Sequence, residues 1–136
     1  MATMTIVPDI LRAGLTGILL SMLIFVSSVC AEDPVQAEIT HLLDFVRNSK
    51  CVFIRNGQAY ESRDAEIHIK RKYRHFKDDI TSAEDFIDLT ATRSTLSGQG
   101  YTVRCGGLEL SSSSWLLTEL DAFRRRLSKE KTGSGD

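Results

Sequence analysis

The chain has 136 residues, 42% of them hydrophobic and 26% charged, ordinary values for a single globular domain. Its 17 basic and 18 acidic residues give a formal net charge of −1, and removing residues 1–31 takes away one of each, Arg12 and Asp9. Composition therefore gives no electrostatic basis for binding nucleic acid or an anionic membrane surface.

The first predicted element is an export signal. Arg12 precedes an apolar run from Ala13 to Val26. A run of about 14 residues suits a signal-peptide core and falls short of the roughly 20 needed to cross a bilayer. Small residues follow and end in Val29-Cys30-Ala31, which places cleavage between Ala31 and Glu32. Two other readings stay open: an uncleaved anchor with the apolar run extended to Val29, and a lipid on Cys30, for which Val29 is a poor preceding residue. The expected organisation is a signal peptide over 1–31, one domain over 32–128 and a disordered polar tail over 129–136. Membrane contact is confined to the signal peptide before cleavage.

Asp33-Pro34 opens the first helix, because Asp caps and Pro suits the first helical position. Ile39, Leu42, Leu43 and Val46 recur at helical spacing, and the helix fades near Asn48-Ser49. Residues 51–55 are β-prone. Asn56-Gly57 is a strong signal for a type I′ hairpin, and Gln58-Ala59-Tyr60 returns as a short strand. Ser62 is expected to cap a second helix over roughly 63–79, with Ala65, Ile69, Tyr73, Phe76 and then Ile80 as its apolar stripe. Ser82 opens a third helix with Asp85 three residues on, and Phe86, Ile87 and Leu89 form its buried face. Ser94 to Gly100 is loop, Tyr101 to Cys105 is a strand, and Gly106-Gly107 is expected to break it. Ser114 or a neighbour caps a last helix carrying Leu116, Leu120, Phe123 and Leu127 on one face, with Trp115 at its start. No internal repeat is visible. The fold class is α+β, about four helices packed on a small antiparallel sheet with an Asn-Gly hairpin.

Two cysteines are left after export, Cys51 and Cys105. An even count in an exported chain suggests one disulfide, and the alternative is two buried free thiols. Placing Cys51 opposite Cys105 in antiparallel strands brings Phe53 opposite Val103 and Arg55 opposite Tyr101, all on one face. Val52 and Ile54 point the other way and are also apolar, so this central strand is expected to be covered on both faces.

Motifs for chemistry are scarce. There is no glycine-rich phosphate loop, no Cys-x-x-Cys and no His-Glu-x-x-His. Asp64–His68 and His75–Asp79 have i,i+4 spacing and suit surface ion pairs better than a metal site. Lys70, Arg71, Lys72, Arg74 and Lys77 interleave with Glu66, Asp78 and Asp79, which reads as a solvated face. Arg124-Arg125-Arg126 reads as a charged helix end. Ser97-Gly98 lacks the frame of a serine nucleophile. No catalytic residue, metal ligand or cofactor is expected.

One constellation points to binding. In the register above, the hairpin end of the sheet gathers Arg55, Asn56 and Tyr101, and the loop with Ser97 and Gly98 runs into Tyr101. A guanidinium, an amide, a phenol and glycine backbone can bind a carboxylate or a sugar. The alternative is structural: Arg55 pairs with a carboxylate, Asn56-Gly57 only turns the chain, and Tyr101 only packs.

Phe53-Ile54-Arg55-Asn56-Gly57, Tyr60, His68, Lys72-Tyr73, Ser82-Ala83-Glu84-Asp85-Phe86-Ile87, Ser97-Gly98, Tyr101 and Trp115-Leu116 fall in a distinctive order. The chain in this respect resembles a domain-of-unknown-function family of small exported proteins of Gram-negative bacteria, over about residues 36–127. The resemblance implies a periplasmic or secreted location and supplies no reaction, ligand or cofactor. Separately, Ser97-Gly98-Gln99-Gly100-Tyr101 resembles the Ser-Gly-x-x-Tyr loop of periplasmic lysozyme inhibitors. The expected function is a non-catalytic periplasmic binding or interaction protein, its partner an envelope protein or ligand. Two alternatives are an inhibitor of lysozyme-type cell-wall hydrolases and an envelope-acting enzyme using Glu84, Asp85 or His68.

Overall fold

Local sequence sets the start of each helix. In α1 (Pro34–Asn48), Asp33 Oδ1 accepts from the Val35 amide at 3.0 Å and Pro34 is the first helical residue. Ile39, Leu42, Leu43 and Val46 form its buried face, as the spacing predicts. The computed structural model of the chain describes residues 31–133. The expected signal peptide, apart from Ala31, lies outside the described residues, as do the last three positions of the expected tail.

Strands β1 (Val52–Arg55) and β2 (Gln58–Glu61) are joined by Asn56 and Gly57 at φ of 50° and 75°, the left-handed pair a type I′ turn requires. Helix α2 (Ser62–Phe76) follows at once and ends in a 3₁₀ turn over Lys77–Asp79. Ser62 is not the cap. It is the first residue of the helix and buried, and its hydroxyl donates to the Cys51 carbonyl at 3.0 Å. Helix α3 (Ala83–Ala91) is capped as expected, with Ser82 Oγ accepting from the Asp85 amide at 3.0 Å. Asp85 reaches back to the Thr81 amide and hydroxyl. Phe86 and Ile87 are buried, while Leu89 is only partly covered.

Beyond β3 (Thr102–Cys105) the chain departs from expectation. Gly106 and Gly107 sit at φ of 56° and 83°, and they form a second hairpin turn into β4 (Leu108–Ser111) rather than a strand end. Helix α4 (Ser112–Gly133) then starts with Ser111 Oγ accepting from the Ser114 amide at 3.2 Å, so the neighbour Ser111 supplies the cap. The helix runs on past Lys129 to Gly133, over residues whose polarity suggests a disordered tail.

The four strands form one antiparallel sheet in the order β2-β1-β3-β4. β1 pairs with β3 in the expected register, Phe53 opposite Val103, and a Cys51–Cys105 disulfide joins Cα atoms 4.8 Å apart. Phe53 and Val103 are 6% and 0% exposed and meet the apolar faces of the helices. The expectation that β1 is covered on both faces fails. Val52 is 36% exposed, and Ala59, Glu61, Arg104 and Glu109, which share its face, are exposed too. The helices occupy one side of the sheet, and no described element covers the other.

Nor is the chain without repetition. The order helix, hairpin, helix occurs twice, as α1-β1-β2-α2 and α3-β3-β4-α4. Val52 corresponds to Thr102, Gly57 to Gly107 and Ser62 to Ser112. The same two positions are joined in each half, by different donors: Ser62 Oγ donates to the carbonyl of Cys51, and the Ser112 amide donates to the carbonyl of Tyr101 at 3.0 Å. The antiparallel β1–β3 pair lies at the centre, where a two-fold relation between the halves requires it. No helix among the described residues is long and apolar enough to cross a membrane.

Candidate functional site

Tyr101 is fixed from both sides by its backbone. Its amide donates to Thr92 O at 2.9 Å, and its carbonyl accepts from the Ser112 amide at 3.0 Å. The side chain, 8% exposed, reaches α2, where its hydroxyl lies 3.3 Å from His68 Nε2. The sequence pairs His68 with Asp64, but the ring turns to Tyr101 instead, at a tilt of 73°. One turn further on, Lys72 is 9% exposed, donates from Nζ to Arg93 O at 2.8 Å, and stands 5.5 Å from the Tyr101 ring centre. The reading of this helix as one solvated basic face therefore fails at Lys72.

Arg55 ends β1 on the same side and lays its guanidinium 4.3 Å from the centre of the Tyr60 ring. The loop closes the corner. Ser94 O accepts from the Gly98 amide, Ser94 N donates to Gln99 O, and Gly98 takes a φ of 71°. Ser97 Oγ donates to Asn56 Oδ1 at 2.9 Å, which fastens the loop to the hairpin turn. The structure thus brings Arg55, Asn56, Ser97, Gly98 and Tyr101 together. It adds His68 and Lys72, which the sequence placed outside this constellation. For Lys72 a signal existed: it stands seven residues after Ala65 and three after Ile69, on the helical stripe that the core buries. His68 carried no such signal, since its partner is distant in sequence.

The electrostatics of the corner are one-sided. Among the described residues, no carboxylate lies within ion-pair distance of Arg55, Arg71 or Lys72. Burial, and then the charges of Arg55, Lys72 and Arg71, lower the His68 pKa to about 4, so the ring is neutral at pH 7. Burial also lowers the Lys72 pKa, with Arg55 and Arg93 adding to it and Asp88 opposing. Burial raises the Tyr101 phenol, against the pull of Arg55 and the Ser94 hydroxyl. A cavity of about 30 Å³ opens between Phe53, Arg55, Tyr60, His68, Ile69 and Tyr101. That is room for one or two waters or a single small functional group, and too little for a sugar ring.

The other candidate groups are engaged elsewhere. Glu84 meets Arg124 at 2.6 Å, which holds its carboxyl below the usual range, and the Thr81 and Ser82 hydroxyls and amides do the same for Asp85. Arg124 also grips Glu38 through Nε and Nη2 at 2.7 and 2.9 Å, so it is a clamp between α1, α3 and α4 and not merely a charged helix end. His41 pairs with Glu119 at 2.8 Å and stacks on Phe123. No group of three or more His, Cys, Asp or Glu side chains that could hold a metal occurs among the described residues.

Fold and site together define an α+β domain of two helix–hairpin–helix halves with an unpaired cationic corner at one end of its sheet. The chain belongs to DUF5329, a family of unknown function, whose model matches residues 33–124. It is similar to the uncharacterized protein YfeK of Salmonella typhimurium, with 33% identity over 67 residues. The aligned stretch is 48% of this chain and 56% of that protein, so the chain spans little more than half the length of this relative. No solved structure matches the chain.

Proposed function

We propose that this is an exported, non-catalytic binding protein that meets a partner or ligand of the cell envelope through the Arg55–Tyr101 corner. The carrying observation is the convergence of Arg55, Asn56, Ser97, Tyr101, His68 and Lys72, from three separate segments, on a corner where no carboxylate among the described residues lies within ion-pair distance of Arg55 or Lys72. Export is supported by the apolar leader sequence and by the disulfide, since thiols pair durably in oxidising compartments. The Ser-Gly-x-x-Tyr resemblance to hydrolase inhibitors is a weaker basis, because Tyr101 is turned inward and only two of the three fixed positions of that motif, Ser97 and Gly98, are exposed.

Two measurements test the proposal. The intact mass of protein recovered from the periplasm should start at Glu32 and contain no free thiol until reduction; a retained leader or a lipid on Cys30 would move the protein to the membrane. Affinity capture from envelope extracts should recover a partner with the wild-type chain and lose it with Arg55→Ala combined with Tyr101→Ala. Unchanged recovery by that variant would remove the corner from the contact surface.

A further inference from the structure

We propose that the corner is a carboxylate socket: Arg55, His68 and Tyr101 receive a single carboxylate, presented by a peptide C-terminus or a small organic acid, with Lys72 adding its charge from behind the Tyr101 ring. The proposal rests on the reading of this corner as the contact surface and names the chemistry it selects.

Three observations carry it. The first is size. A cavity of about 30 Å³ admits the two oxygens of a carboxylate while the remainder of the ligand stays outside. The second is the donor set. Arg55 offers a planar fork of N–H groups suited to bidentate contact with a carboxylate. Lys72 donates to Arg93 O and stands 5.5 Å from the Tyr101 ring centre, so it contributes charge from outside the cavity wall. His68 and Tyr101 share one hydrogen bond, which leaves one donor between them for an incoming oxygen while the ring is neutral and one on each once it is protonated. The third is the unbalanced charge. Every charged neighbour that acts on the His68 ring is a cation, Arg55 from β1 and Arg71 and Lys72 from its own helix, while Tyr60 and Tyr101 face it from β2 and from the residue before β3. Asp64, one turn back on α2, makes no bond to it. A carboxylate would meet these cations against the apolar wall of Phe53 and Ile69, where low polarisability strengthens the attraction.

A pH dependence follows. Burial and the neighbouring cations keep His68 neutral in the protein alone. A bound anion offsets Arg55, Lys72 and Arg71, so His68 takes up a proton as the carboxylate enters. Affinity then increases on acidification from pH 7 to pH 5. A peptide-type carboxyl ionises at about 3.3–3.7 and stays charged throughout.

The test is an NMR titration of the oxidised protein with N-acetylglycine, acetate, N-acetylglycinamide and inorganic phosphate at pH 7 and pH 5. Saturable shifts are expected at His68, Tyr101 and Ser97 with the carboxylates and none with the amide. At saturation the His68 midpoint should rise by about two units, equivalent to roughly tenfold tighter binding at pH 5 than at pH 7. Stronger binding of N-acetylglycine than of acetate assigns the socket to peptide termini; equal binding assigns it to small acids. Arg55→Met should abolish binding, and Tyr101→Phe, which keeps the packing, should weaken it several-fold. An equal response to the amide, preference for phosphate, or binding indifferent to both substitutions overturns the proposal. Absence of carboxylate binding while partner capture still depends on Arg55 defeats the carboxylate socket and leaves the contact surface standing. Carboxylate binding with capture indifferent to Arg55 defeats the contact surface alone.

Discussion

Arg55 stands opposite Tyr101 at one end of the β1–β3 ladder, one step beyond the paired Ile54 and Thr102. The relation between the two halves of the fold maps this pair onto Cys105 and Cys51 at the other end. One end of the central strand pair is closed covalently, and its counterpart holds a cation, a phenol and a small cavity. The duplicated frame therefore fixes the sheet at one end and leaves the other free for polar side chains that form no ion pair among the described residues.

The bridge should matter for stability and not for the geometry of the far corner. The cysteines are 54 residues apart in sequence, and a loop of that length corresponds to about 4 kcal/mol in the chain-entropy account. Urea unfolding of Cys51→Ser combined with Cys105→Ser should show a loss up to that size. The His68 and Tyr101 resonances should stay in place. An unchanged midpoint would mean the bridge constrains little that the sheet does not already constrain.

The open face of the sheet gives a contrast between neighbours in one strand. Phe53 is buried against Trp115 and the helices, with ring centres 5.5 Å apart, while Val52 is exposed on the other side. Phe53→Ala should cost about 3–5 kcal/mol by deletion of core volume. Val52→Ala should cost less than about 1 kcal/mol. Chemical denaturation of the two variants checks this, and a comparable loss from Val52→Ala would show that something covers that face.

How much was legible in the sequence depended on whether one signal dominated. The stripe of α1, the Asn56-Gly57 turn and the Ser82 start of α3 each rest on a local rule that nothing contradicts. The cysteine pairing carried the β1–β3 register, and with it the juxtaposition of Arg55 and Tyr101. Strand β4 was hidden because Leu108 and Leu110 lie on an edge, largely exposed, so their alternation has no buried face to advertise it. The duplication was hidden because the paired hairpins share only Gly57 with Gly107 and Ser62 with Ser112, and α1 and α3 differ in length. Gly-Gly serves the same turn as Asn-Gly through freedom of φ alone. Lys72 was lost among its charged neighbours, although its place on the buried stripe was readable.

Arg124 should stabilise the helical layer modestly. Its guanidinium binds Glu38 and Glu84 together, from α1 and α3, but it is about two-fifths exposed and solvent screens the pairs. Arg124→Ala should therefore cost about 1 kcal/mol at low salt and less at high salt. Glu84 is held below its usual range chiefly by the hydrogen bond from Arg124. Its contribution is present above the ordinary carboxylate range and is lost as pH falls through the lowered folded value. A double-mutant cycle of Arg124→Ala with Glu84→Gln should show coupling at pH 7 that disappears in acid. Coupling that is independent of pH and salt would assign the effect to packing.

The acid limb of stability should carry the signature of His68. In the unfolded chain the imidazole takes a proton near pH 6.5; in the folded corner it does so only near pH 4, because burial comes first and Arg55, Lys72 and Arg71 add to it. The unfolded state thus binds more protons between these values, so stability is full above pH 6.5, declines as pH falls toward 4, and gains no further penalty from this group below that. At 1.36 kcal/mol per pKa unit, discounted because the ring is partly open to solvent and its neighbours are screened, the decline is of order 1–2 kcal/mol. The carboxylates held low by their partners, Glu84 and Glu119 among them, begin to act only at the acid edge of this window, as pH falls through the ordinary carboxylate range. Urea midpoints measured from pH 7 to pH 5 should therefore fall for the wild type and stay nearly level for His68→Gln. A parallel decline in both proteins would place the titrating group outside the corner, and with it the charge imbalance on which carboxylate recognition depends.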